Sequence, residues 1–462
     1  MRAGARLFGT DGIRGRSGEP PLDRGTVTAL AVHLAATLGE RGNGAPPRVV
    51  LGGDTRESTP EICRWLAAGL AAGGADVDCA GVIPTPGVAY LVQTTGAAAG
   101  VVVSASHNPH PDNGIKLIDP QGFKWRDEDE LTLERRLLAA RAPEVPDLSA
   151  DRPGIDAGLR ERYLRHLAAT VPGGRPLAGL RAVLDAGNGA ASFYARELFE
   201  RLGAQVTLLH AAPDGRNVNA GCGSTAPAEM AARVASEGAD LGAAFDGDAD
   251  RCILADERGT VRDGDAILYL WATWLRRAGR LRPPRIVATS MSNLGLERAL
   301  AAEGIGVVRC NVGDRYVVET MRREGILLGG EQSGHIVESG LASTGDGLLT
   351  AVQMAALRQQ AGRSLSALLA PFRRYPQVLL NVEVARKADF ATLPAVAAAA
   401  RSVEERLGED GRLVLRYSGT EPLARIMIEG PEQGMIDALA AELAAAIRGE
   451  LGAGTRGDRG ER

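Results

Sequence analysis

The sequence predicts an α/β protein: three similar mixed-sheet α/β domains and a smaller C-terminal α+β domain around a central cleft. Three observations predict it. A pattern of strand, helix, strand, helix, strand recurs three times, each copy closing in a polar loop and a further apolar strand. The strands are short, with helical stretches between them, which is the signature of mostly parallel sheets. After residue 375 the order of elements changes, so the last segment is a different kind of domain.

The first copy runs R-V-V-L-G-G-D-T-R (48–56), a helix to about Ala72, A-D-V-D-C (75–79), a second helix, V-V-V (101–103) and a serine-bearing loop. The second runs R-A-V-L-D-A-G-N-G (181–189), a helix to Leu202, Q-V-T-L-L (205–209), a helix near 227–236, L-G-A-A-F (241–245) and D-G-D-A-D-R. The third runs R-I-V-A-T-S-M-S-N (285–293), a helix, V-V-R-C (307–310), a helix, I-L-L (326–328) and G-G-E-Q-S-G-H. A proline-rich, apolar-poor stretch at 141–154 reads as a linker. The last segment holds an alternating strand at 381–384, a helix at about 389–406, strands at 412–416 and 425–430, and a closing helix to about Leu451. The boundaries fall at 1–150, 151–258, 259–374 and 375–452. The tail 453–462 is expected to be disordered. The connection at 373–376 can serve as a hinge.

Composition narrows the class. A chain of 462 residues, 45% hydrophobic and 24% charged, is globular and has ample core for roughly three or four domains. A net charge of −4 without a basic block argues against a nucleic-acid partner. No apolar leader and no long apolar run point to a membrane. Five scattered cysteines without a C-x-x-C pair suit reduced thiols in the cytoplasm. Lys116, Lys124 and Lys387 are the only lysines.

Four loops carry the chemistry. S-A-S-H-N-P (104–109) leaves what reads as a buried parallel strand, the exit where α/β sheets bind ligands. It offers Ser106 and His107, with Lys116 on the next strand, although serines and His-Asn-Pro are also ordinary turn material. In D-G-D-A-D-R, Asp246, Asp248 and Asp250 recur at every second position beside Arg251, a crowding of like charge that a cation relieves. A calcium EF-hand loop competes, with Glu257 at its twelfth position. Arg251 stands where that loop needs glycine, and strands rather than helices flank it. A solvated acidic turn competes too. G-G-E-Q-S-G-H places Glu331, Ser333 and His335 on a glycine-flanked turn suited to a polyhydroxyl ligand, or to nothing more than a turn. R-Y-S-G-T-E-P-L-A-R (416–425) combines Arg416, Ser418, Gly419, Thr420 and Arg425, the donors a phosphate dianion needs. Arg14, in the polar F-G-T-D-G-I-R-G start, can supply another anion contact.

In this order, S-A-S-H-N-P, D-G-D-A-D-R, G-E-Q-S-G-H and S-G-T-E-P resemble the α-D-phosphohexomutase superfamily, from Phe8 to about Gly430. The start at 7–15, M-S-N-L-G-L-E (291–297), V-G-D-R-Y-V (312–317) and T-G-D-G (344–347) are similar to the branch that acts on glucosamine phosphates. The resemblance implies that Ser106 carries a phosphoryl group and, with Asp246, Asp248 and Asp250, holds one Mg²⁺. It implies interconversion of glucosamine 6-phosphate and glucosamine 1-phosphate through glucosamine 1,6-bisphosphate, which also primes the enzyme. The product would feed UDP-N-acetylglucosamine and cell-wall precursors. Lys116 is expected to move the proton at the sugar oxygen, because an amine can be tuned to lose its proton and a guanidinium cannot. A salt-bridged strand lysine is the plainer alternative. His107 supports the serine or is structural, and Glu331 and Ser333 meet the sugar in both orientations. Arg416, Ser418, Gly419, Thr420 and Arg425 clamp the phosphate that is not reacting. Tyr417 stands where the bacterial enzymes often have proline, which should stiffen this loop less. A homodimer is left open. Sister hexose-phosphate mutases, a metal-dependent phosphatase and a sugar-phosphate sensor are the rival readings.

Overall fold

The computed structural model describes residues 7–9, 11–42, 44–139, 154–418 and 422–452. The linker before residue 154, Gly419, Thr420 and the tail 453–462 lie outside the described residues. The chain divides into two compact units, residues 1–291 with 305–370, and residues 292–304 with 371–462.

The first unit holds three sheets built on one plan. In the first, Arg48–Gly53 lies between Asp76–Val82 and Ala99–Val103, all parallel, and Asp112–Ile118 then pairs antiparallel to Ala99–Val103. Gly12–Arg16 and Phe8–Gly9 extend the edge. Ala99–Val103 is buried along its whole length, as its run of β-branched residues requires of a central strand. In the second sheet, Arg181–Asp185 lies between Gln205–Leu209 and Leu241–Phe245, again parallel, with Cys252–Asp256 antiparallel beyond. In the third, Arg285–Thr289 lies between Gly306–Cys310 and Leu328–Gly330, with Ile336–Glu338 antiparallel.

Each polar loop that the sequence singled out in these three copies therefore joins a parallel strand to its antiparallel neighbour. In the third copy the strand begins two residues later than the I-L-L reading. Gly329 and Gly330 belong to the ladder rather than to the turn, and Gly329 lies so close under Met321 that a Cβ there would sit 2.6 Å from its sulfur.

Register explains how a lysine comes to be buried. Val103 pairs with Ile115, Val102 with Lys116 and Val101 with Leu117. Side chains alternate across a sheet, so Val101, Val103, Ile115 and Leu117 enter one core cluster and Lys116 leaves by the opposite face.

The second unit is an antiparallel sheet of Gln377–Glu383, Leu423–Glu429 and Arg412–Tyr417, with Leu423–Glu429 in the middle. The helices Pro394–Leu407 and Gln433–Leu451 bury Val396, Val403, Leu439 and Leu443 with Ile426 and Ile428. One element departs from the repeat. The helix Leu294–Ala302 stands in the third copy by sequence but belongs to this unit by its contacts. Asn293 caps it through Gly295 N at 2.9 Å and donates to the fully buried Glu429 at 2.9 Å. Asn293 also holds both backbone groups of Tyr375, so the proposed connection at 373–376 is fixed to the second unit. Among the described residues no helix is long and apolar enough to cross a membrane.

Candidate active site

Ser106 sits on the turn after Ala99–Val103 with a left-handed backbone, φ 52°, and is 2% exposed. Its hydroxyl donates to Asp246 Oδ2 at 2.5 Å, and His107 Nδ1 lies 3.3 Å away. Ser104, two residues earlier, faces elsewhere: its hydroxyl donates to Asp54 at 2.7 Å and accepts from the Ser106 amide at 2.9 Å. The two serines therefore differ in kind, one aimed at the acidic loop and one holding the turn.

The acidic loop meets the serine loop directly. A Cβ on Gly247 would come within 2.6 Å of the Ser106 carbonyl, so only glycine permits the approach. Asp246, Asp248 and Asp250 are all buried, and one oxygen from each lies within 4.8 Å of the others. Asp248 Oδ2 accepts from Lys116 Nζ at 2.8 Å and Thr85 Oγ1 at 2.5 Å, while Asp250 Oδ2 is 3.4 Å from the same amine. Asp248 Oδ1 and Asp250 Oδ1 are buried with no hydrogen-bond partner. Unpaired buried carboxylate oxygens are costly, and three hard oxygen donors in one place suit a hard divalent cation. Strands flank the loop on both sides, and Glu257 turns away to bond Ser366, so the EF-hand alternative is excluded. In a second cluster, Asp185, His210 and Cys222, Asp185 accepts from Gly187 and Gly223, and His210 lies 3.1 Å from Asp185 and 3.3 Å from Glu229.

A cavity of about 590 Å³ opens over these loops. Ser106, His107, Asp250, Arg14, Arg251, Glu331, Ser333 and His335 line it, so eight of the residues singled out in the sequence meet there. Lys116, Asp246 and Asp248 lie just beneath, bonded to the lining or to each other. Glu331 accepts from the Gly313 amide at 3.0 Å. His335 lies 3.6 Å from Asp314.

Sequence reasoning missed Asp11, Lys124 and Asp314, which also line the cavity, with Lys124 bridging the two carboxylates. It also missed Thr85, Asp54, Arg56 and Asn219, which hold the loops from behind. The scarcity of lysine was a usable signal for Lys124.

The electrostatics of the site follow from its crowded charges. Burial pulls Lys116 toward neutrality, but Asp11, Asp248 and Asp250 outweigh it and hold the amine well above the ordinary lysine range. The three aspartates thus favour its protonated form. Burial likewise pushes Asp11 up, and Lys116, Lys124 and Arg14 together bring it well below the usual carboxylate range. Burial, then the charge of Arg251, lowers His107 to about 4, so its ring is neutral near pH 7. Burial, then Asp250 and Asp248, raises Asp246 well above the usual value, as expected of like charges crowded without a cation.

The second unit carries the remaining residues. Arg416 and Arg425 pair across neighbouring strands, and Arg425 reaches Ser418 Oγ at 3.5 Å. Lys387, given no role by the sequence reading, donates to the Ser418 carbonyl at 2.5 Å. Tyr417 is not loose. Its ring stacks on Phe390 with centroids 4.2 Å apart, and its hydroxyl both donates to and accepts from the backbone of Ala388.

A fold of three like sheets and one unlike, with a serine aimed at three carboxylates, defines a class of phosphoryl-transferring sugar mutases. The comparisons agree. Family models of phosphoglucomutase/phosphomannomutase match in chain order: the alpha/beta/alpha domain I over residues 5–144, domain II over 161–259, domain III over 263–375 and the C-terminal domain over 379–446. The phosphoglucosamine mutase of Solibacter usitatus is 46% identical over 450 residues, covering 96% of this chain and 99% of its own. That of Moorella thermoacetica is 45% identical over 448 residues, covering 95% and 98%. Among solved structures, a phosphoglucomutase/phosphomannomutase family protein from Burkholderia thailandensis superposes with a TM-score of 0.78 at 24% identity, covering 96% of this chain and 97% of its own. The N-acetylphosphoglucosamine mutase of Aspergillus fumigatus, crystallised with GlcNAc-6P and magnesium, gives 0.65 at 19%, covering 96% of both. This chain belongs to the phosphoglucomutase/phosphomannomutase family, among its phosphoglucosamine mutases.

Proposed function

We propose that the chain interconverts glucosamine 6-phosphate and glucosamine 1-phosphate through a phosphoserine at Ser106 and a glucosamine 1,6-bisphosphate intermediate. The observation that carries this is the Ser106 hydroxyl 2.5 Å from Asp246 at the wall of the cavity, beside carboxylate oxygens that lack partners. Asp246, Asp248, Asp250 and a phosphoserine oxygen would hold Mg²⁺, which neutralises the carboxylates and offsets charge on the transferring phosphoryl group.

The protonation states fit the half-reaction that charges a free serine. Ser106 directs its hydroxyl hydrogen at Asp246, leaving a lone pair for phosphorus. As the P–Oγ bond forms, the Ser106 proton passes to Asp246, the bond from phosphorus to the sugar oxygen breaks, and the protonated Lys116 gives its proton to that oxygen. The opposite transfer runs the same steps backward, with the sugar hydroxyl returning its proton to Lys116. Glu331, Ser333 and His335 bind the sugar, and Arg14 and Arg251 face its anionic groups. Arg416, Ser418, Gly419, Thr420 and Arg425 are the donors the second unit offers to a phosphate. Five free thiols suit the cytoplasm as the site of this reaction.

The test is twofold. Phosphopeptide mapping after incubation with the bisphosphate should find phosphate on Ser106, and the Ser106→Ala variant should be inactive. Turnover of glucosamine phosphates should exceed that of glucose and mannose phosphates. Phosphate on Ser104 with an active Ser106→Ala variant would overturn the mechanism, and equal turnover of the three sugars would overturn the substrate.

A further inference from the structure

We propose that Arg56 is the positioning residue that sets Ser106 for phosphoryl transfer, a role that rests on Ser106 being the phosphoryl carrier. Arg56 is 1% exposed and does not line the cavity. Its guanidinium has five N–H donors, and five acceptors surround it. Nε meets Asp54 at 2.8 Å. One terminal nitrogen meets the carbonyls of Pro109 at 2.6 Å and Asp112 at 2.8 Å, and the other those of Ser106 at 2.9 Å and Asn108 at 2.8 Å. Three of the five bonds therefore end on the backbone of the serine loop and a fourth on the first residue of the strand that follows it.

The fifth bond closes a circuit. Asp54 accepts from the Ser104 hydroxyl, and that hydroxyl accepts from the Ser106 amide. Both backbone groups of Ser106 are thus tied to the Arg56–Asp54 pair, the carbonyl directly and the amide through Ser104. A side-chain-bearing residue in the left-handed region keeps that conformation only where its surroundings over-determine it. Here they do, and the conformation is what aims the serine at Asp246. A buried ion pair is a poor way to gain stability, since apolar packing of the same volume serves as well or better. What the pair supplies instead is a rigid fork that spans four carbonyls, which a lysine ammonium cannot match.

The experiment measures turnover, KM and melting temperature for Arg56→Ala, with and without guanidinium ion at non-denaturing concentrations. The expected result is a fall in kcat of about 100-fold with KM within about twofold of the parent, because displacement of a reacting group by about an ångström costs that much. Added guanidinium should restore part of the kcat by refilling the buried site. It should restore nothing in Ser106→Ala. Arg56→Lys should stay impaired despite its charge, and serves if the alanine variant does not fold. Ser104→Ala keeps the ion pair but frees the Ser106 amide, and should lower kcat alone by a smaller factor. Parent-like kcat in a folded Arg56 variant, or a loss that tracks the unfolded fraction without rescue, would overturn the proposal. An active Ser106→Ala would overturn the reading beneath it instead.

Discussion

Asp248 stands at the meeting point of two functions, bonded to Lys116 and Thr85 through one oxygen and left without a partner at the other. Asp248→Asn keeps the shape but removes one charge from the triad and weakens the shortest contact of the amine. Mg²⁺ affinity and turnover should fall together, the latter by about 100-fold or more, as calorimetry and a coupled assay would read. A variant with parent affinity and rate would make the loop an acidic turn. His107 gives a pH test. Its folded value of about 4 lies below the unfolded value, so the neutral ring is favoured on folding. Its contribution to stability is present above about pH 6.5 and is lost as pH falls toward 4. Proton NMR of the metal-free, unphosphorylated protein should place its midpoint near 4, and an ordinary midpoint would show the ring to be solvated. The residues most legible in the sequence were those the chain itself groups, such as Asp246, Asp248 and Asp250 in one loop. Arg56 and Lys124 were not, because the carbonyls that Arg56 binds and the carboxylates that Lys124 bridges lie far along the chain.

The joint between the serine and acidic loops is a property of elements rather than of any one side chain. Two strand-exit loops from different sheets touch at Gly247, with no space for a methyl group. Gly247→Ala should push the loops apart and cost about 1–3 kcal/mol of stability. Because the contact falls on the Ser106 carbonyl, turnover should drop further than the stability loss explains, which denaturant titration alongside kinetics would show. The three repeats were readable because apolar runs and polar exits recur at like spacing. The two-residue shift at Leu328–Gly330 was not, because glycine looks like a turn in one dimension. Its pairing with Arg285–Thr289 and Ile336–Glu338, under Met321, makes it a strand position.

At the scale of the whole molecule, four sheets were visible in the sequence, and the helix Leu294–Ala302, which lies within the domain III match over 263–375, groups by its contacts with the second unit. Its periodicity says helix but not which core receives it. That is decided by Glu429, buried on a distant strand, which takes bonds from Asn293, from the Leu294 amide and from Arg412. The consequence is that the C-terminal domain cannot be lifted out of the chain by cutting at one place. A polypeptide of residues 371–452 would lack that helix, and Glu429 would lose its bonds from Asn293 and the Leu294 amide. Each lost bond to that carboxylate is worth about 1.5–3 kcal/mol. Such a piece should be unstable alone, and a synthetic peptide spanning 291–304 should bind it and raise its melting temperature. A peptide with Asn293 replaced by alanine should do so poorly. If the piece is as stable alone as with the peptide, the helix is a passenger; if not, the domain is one structure written in two separate passages of the gene.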